Sequence, residues 1–166
     1  MKKILSVKVF RLVMGILPFL LFTFLPLSAQ PDWAKKASKA VFTLKTFTAD
    51  GTLISSTNGF FVGNNGEAVS CFTPFKGASR AIIIDASGKE IPVEYILGAN
   101  ETYDVAKFQV AKNKIQPLPL AATKAAKDDK VWLLPYRELK RVPQGTIQKT
   151  ETFNGDYAYY TVELTM

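Results

Sequence analysis

The sequence predicts an all-β fold of the sandwich or barrel type, and three observations predict it. After residue 40 the chain is a succession of short runs rich in β-branched and aromatic residues. Turn-forming residues recur between the runs, at Asp50-Gly51, Asn64-Asn65-Gly66, Ser87-Gly88 and Asn154-Gly155. Within the run 105–110, Ala106, Phe108 and Val110 share one face while Lys107 and Gln109 share the other, the period of a half-buried strand. Many short strands with frequent turns lead to a closed or stacked antiparallel sheet. The 166 residues, 48% of them hydrophobic, suffice for one compact core.

Residues 1–30 read as a secretory signal peptide. Lys2, Lys3, Lys8 and Arg11 precede or open an apolar run over 12–27, and the small residues Ser28 and Ala29 follow it. A membrane anchor is the rival reading, but Pro18 and Pro26 interrupt the run. The run also falls short of the roughly 20 residues that span a bilayer. The mature protein is therefore expected to begin near Gln30 or Pro31 and to be exported, periplasmic or secreted, touching a membrane only through the uncleaved segment. No Cys follows the small residues, so no lipid anchor is expected. The formal charge of +7 shrinks once these four basic residues are set aside: 17 Lys and Arg face 14 Asp and Glu, a net of +3. No nucleic-acid partner is expected from that balance.

Two counts limit the chemistry. Cys71 is the single cysteine, so no internal disulfide can form; set in an apolar stretch between Val69 and Phe72, it is expected to be a small buried hydrophobe. Histidine is absent, which excludes a Ser-His-Asp triad, a Cys-His pair and a His-ligated zinc within this chain. No metal and no other cofactor is expected.

The elements follow in order. Residues 31–40 open with Pro31 and Asp32 and carry Lys35, Lys36 and Lys39 further on, the charge order of a short helix. Strand-like runs cover 41–48 and 52–56 with Asp50-Gly51 between them as a hairpin turn, then 59–62, 67–71, 81–85, 91–97 and 105–110. Residues 117–130 combine prolines with a charged cluster and suit a surface connector. A run over 131–136 and a hairpin over 146–164 begin a second sheet, with Ala158, Tyr160, Val162 and Leu164 on the inward face. Three strands leave open edges and an apolar face, so either the sequence is a fragment or a partner completes it.

Three segments in order resemble the first half of the trypsin-like serine proteases, in particular the bacterial HtrA/Deg branch. TNGFFVGNNGEAVS (57–70) resembles the family's G-S-G-F-x5-G-x-x-V-T, with Gly59, Phe60, Gly66 and Val69 matching. SCFTPFKGA (70–78) stands in the place of T-N-x-H-V-V-x-G-A, and GANETYDVAKFQV (98–110) resembles G-x-D-x-x-x-D-L-A-V-L-K-V. The resemblance implies the double β-barrel fold, with a complete first barrel over 41–120, a connector over 121–130 and an incomplete second barrel over 131–166. It also implies the site: the position of the catalytic histidine holds Thr73, that of the aspartate holds Asp104, and the serine motif lies past Met166.

Thr73 cannot replace an imidazole, because a hydroxyl with a pKa far above 7 neither takes nor returns a proton near neutrality. Asp104 is then expected to hydrogen-bond turn amides or the Thr73 hydroxyl. No Ser and Lys spacing singles out another nucleophile, and no base is identifiable beside Cys71. Two functions follow. One is an exported trypsin-like serine peptidase relative, inactive as this chain; the other is a non-catalytic β-barrel module that binds a peptide or protein. The oligomeric state is open.

Overall fold

In the computed structural model, residues 32–134, 142–153 and 157–165 are described. The signal segment and the Asn154-Gly155 turn lie outside them. A seven-residue helix α1 (Asp32–Ser38) leads into six strands: β1 (Val41–Phe47), β2 (Leu53–Phe61), β3 (Glu67–Ser70), β4 (Arg80–Ile84), β5 (Glu90–Asn100) and β6 (Val105–Val110). They close as an antiparallel barrel in the order β1-β2-β3-β6-β5-β4. A separate sheet, β7-β8-β9, is built from β7 (Lys130–Trp132), β8 (Gln144–Phe153) and β9 (Tyr157–Thr165).

Alternation makes the barrel interior. Phe42, Leu44 and Thr46 of β1 point inward, as do Ala106, Phe108 and Val110 of β6, all buried. Phe42, Leu44, Phe108 and Val110 form one apolar core with Phe61, Ala68, Ile83, Ile91 and Ile115. Its centre is aromatic: the Phe42 ring lies 4.9 Å from that of Phe61 and 6.1 Å from that of Phe108, tilted or edge-on as ring quadrupoles favour. Phe75, partly buried, packs against this core 5.3 Å from Phe108.

Two glycines of the motif in 57–70 are required by this packing. A Cβ on Gly59 would lie 2.5 Å from the Phe42 ring and 2.7 Å from the Val69 carbonyl oxygen. Gly66 sits at φ +97°, and a Cβ there would meet the Val110 carbonyl oxygen at 2.3 Å. These matches therefore carry barrel closure, whatever chemistry the barrel supports.

The structure departs from the sequence expectation at two strands. The runs 52–56 and 59–62 are one strand, because β1 pairs with β2 along its whole length, from Val41 opposite Phe60 to Phe47 opposite Leu53. Ladder bonding overrides the polar interruption Thr57-Asn58. The run 131–136 forms a strand only as Lys130–Trp132, the stretch that finds a partner in β8.

The second sheet keeps an open apolar face. Ile147 is buried, whereas Tyr160, Val162 and Leu164 are 37–39% exposed. Trp132 on β7 meets Trp33 of α1 edge-on at 5.3 Å, tying helix and sheet together.

Candidate functional site

Two chain reversals build the site at one end of the barrel. After β3 the chain passes Cys71 and Phe72 into a single 3-10 turn, Thr73–Phe75, with Pro74 buried within it. Proline fixes the backbone of that turn and Phe75 anchors it in the core. The second reversal joins β5 to β6: the Asn100 side chain accepts the Tyr103 amide at 3.2 Å, and the Asp104 amide donates to the Glu101 carbonyl at 3.2 Å. Asp104 stands at φ 51°, a left-handed conformation that aspartate adopts more readily than most residues.

The left-handed twist points Asp104 at the other turn. Its Oδ1 accepts the Thr73 amide at 2.6 Å, and its backbone carbonyl accepts the Phe72 amide at 3.2 Å. Residues 31 positions apart are thus brought together by strand pairing, since Ser70 at the end of β3 lies opposite Ala106 near the start of β6. The Thr73 amide and then the Thr73 hydroxyl hold the Asp104 carboxyl below its ordinary pKa, with a smaller contribution from the Lys76 charge. Lys76 pairs with Glu101 across the mouth of the site and lies 5.6 Å from the Phe72 ring centroid.

Chemically, this is a clamp. Asp104 is an ionised acceptor whose partners lie on the first residue of the 3-10 turn, so it fixes β3 to the start of β6. Among the described residues no group of three or more Cys, Asp or Glu is placed to hold a metal ion.

Cys71 corrects the sequence expectation. It is exposed, not a buried hydrophobe. Ser70 takes the inward position at the strand end, buried with its Oγ donating to the Asn58 carbonyl at 2.8 Å, and alternation turns Cys71 outward. Hydrophobic neighbours in sequence misled because period two assigns adjacent residues to opposite faces. The Lys76–Glu101 pair was also missed; partners 25 residues apart leave no local signal.

No family model and no curated protein matches the sequence. A solved structure does: the crystal structure of the serine endoprotease from Yersinia pestis superposes with a TM-score of 0.60 at 18% identity. The match covers 70% of this chain and 43% of that one, so the chain spans less than half the length of the protease it resembles. Likeness at this identity establishes a fold, and the fold is the trypsin-like one: a closed six-stranded barrel followed by a partial second sheet.

Proposed function

We propose that the chain is an exported relative of the trypsin-like serine peptidases, of HtrA/Deg type, that is catalytically silent and uses its barrel to hold a peptide or protein ligand. The observation that carries this reading is the destination of the Asp104 carboxylate, which accepts the backbone amide of Thr73, the residue in the histidine position. In a working triad the aspartate orients an imidazole and stabilises its protonated form. Here the residue standing in the histidine position consumes that acceptor itself, and the 166 residues contain no histidine to restore the relay. A serine supplied by a longer chain would still face a site without a base.

The ordered motifs over 57–110 and the trypsin-like fold support the lineage. Residues 1–30 support export to the periplasm or beyond. The scaffold persists because its glycines, its aromatic core and the Asp104 clamp serve the barrel itself.

The test is to express the full chain with its leader, recover the mature protein and determine its first residue. Hydrolysis of casein and of a fluorogenic peptide library is then followed across the neutral range. Cleavage between residues 28 and 31 is expected, with peptide hydrolysis no faster than buffer. Turnover that disappears in Asp104→Ala would overturn the silent reading, and retention in the cytoplasm would overturn export.

A further inference from the structure

The chain has two tryptophans, and the fold brings them together at the surface. Trp33 of α1 and Trp132 of β7 meet with ring centroids 5.3 Å apart, yet they stay 43% and 44% exposed. Leu133, next in the chain, is 51% exposed. Neither ring belongs to the barrel core. An indole is a large apolar body with one polar N–H, suited to a boundary that is apolar on one side and wet on the other.

Positive charge collects at the same place. Lys35 and Lys36 are exposed on α1, and Lys130 shares one exposed face of β7 with Trp132. Among the described residues none of these three lysines forms an ion pair. Segments 31–39 and 124–132, which carry the two rings, hold six lysines and three aspartates, a net of +3. The rest of the chain after residue 30 balances, 11 basic residues against 11 acidic. The three aspartates are Asp32, Asp128 and Asp129, the last of which accepts the Ala126 amide at 2.8 Å. Contact between the rings joins the two segments, so one corner holds an exposed aromatic pair and the whole charge excess of the mature chain.

We infer that this corner is a membrane-surface site that rests on anionic phospholipid. It takes its location from the export reading above. The apolar run of the leader ends at residue 27, six residues before Trp33. Six residues reach at most about 20 Å. While that run lies in a bilayer, Trp33 is therefore held close to the headgroup layer, where tryptophan collects and lysine meets lipid phosphate. An anionic bilayer satisfies both halves of the corner at once: the rings enter the headgroup layer and the ammonium groups stay at the phosphates. After cleavage the same contact keeps the mature protein on the membrane it has crossed. Two rings and a few charges give reversible adhesion and not insertion.

Both tryptophans lie at the corner, so tryptophan emission reports on it alone. The mature protein is titrated with vesicles of phosphatidylcholine, and with vesicles in which about a quarter of the lipid is phosphatidylglycerol. Co-sedimentation and a shift of emission to shorter wavelength are expected with the second mixture, both reversed by high salt. Lys35→Gln combined with Lys36→Gln should weaken binding about thirtyfold, each lysine near an anionic surface being worth about fivefold. Trp33→Ala should weaken it about tenfold, the effect of withdrawing roughly half an indole from water. Circular dichroism checks that each variant is folded, and the two lysines are exposed, so their loss leaves the packing intact.

Equal binding to both lipid mixtures would overturn the inference. So would emission that stays unchanged while the protein sediments, since the contact would then lie elsewhere. A shift that grows with protein concentration and needs no lipid would assign the corner to a second copy, and would overturn it equally. Export is scored separately, by the first residue of the recovered protein. A retained leader would remove the export reading, and the same titration of the retained chain, wild type against the lysine variant, still decides the corner.

Discussion

Replacing Asp85 by asparagine tests how the barrel holds its β4–β5 hairpin. Asp85 is 4% exposed and sits at the end of β4. Its Oδ1 accepts the Ser87 amide at 2.8 Å, the Ser87 hydroxyl at 2.5 Å and the Lys89 amide at 3.1 Å, and its Oδ2 accepts Lys112 Nζ at 2.6 Å. Burial alone would raise its pKa; the Lys112 ion pair and then the Ser87 and Lys89 hydrogen bonds outweigh it and hold the carboxyl well below the ordinary range.

Asparagine keeps the shape and one acceptor but loses the charge. Bonds to a charged acceptor are roughly twice as strong as neutral ones, so three of them weaken by about 0.5 kcal/mol each. The ion pair adds about 1 kcal/mol, limited because the Lys112 side chain is 31% exposed. The sum is about 2.5 kcal/mol, measured as the difference in urea unfolding free energy near pH 7 by circular dichroism. The sign of the pH dependence follows from the depressed pKa: the charge stabilises fully above the unfolded-state pKa, near pH 4, and the gain is lost as pH falls through the folded-state value. The gap between wild type and Asp85→Asn should therefore narrow between about pH 5 and pH 2. A gap below about 0.5 kcal/mol at neutrality, within the scatter of surface substitutions, would refute the reasoning. So would a gap of constant size down the pH scale.

Three other outcomes are expected. Gly59→Ala drives a methyl into the Phe42 ring and the Val69 carbonyl, and urea unfolding should show a loss of about 2 kcal/mol or more, against about 0.5 kcal/mol gained where a glycine has room. Thr46→Val should stabilise the chain by about 1 kcal/mol in the same assay, because the Thr46 hydroxyl is fully buried with no hydrogen-bond partner among the described residues; destabilisation would show that it has one. Cys71 should react with Ellman's reagent in the native protein as fast as in urea to within about tenfold, and protection lifted only by denaturant would contradict its exposure.

Local chemistry was legible wherever it acts over a few residues. The turn glycines Gly51, Gly66 and Gly88 all adopt positive φ, which is why Asp50-Gly51, Asn65-Gly66 and Ser87-Gly88 read as reversals before any strand was placed. Alternation over 105–110 identified the inward face of β6, and Phe108 lies at the core. The meeting of Thr73 with Asp104 was legible only through the order of three motifs, since nothing within either segment refers to the other.

What the sequence determined by itself was therefore the fold class, its turns and the absence of any imidazole, all of which depend on residue type and short-range backbone preference. Tertiary structure decided the rest. Pairing along β1 made one strand of two runs, the register at the end of β3 sent Ser70 inward and Cys71 outward, and the start of β4 at Arg80 left β5 from Val93 to Asn100 paired with β6 alone. Each of these depends on which distant backbone supplies the next hydrogen bond, a quantity set by closure of the whole barrel and carried by no single stretch of the chain.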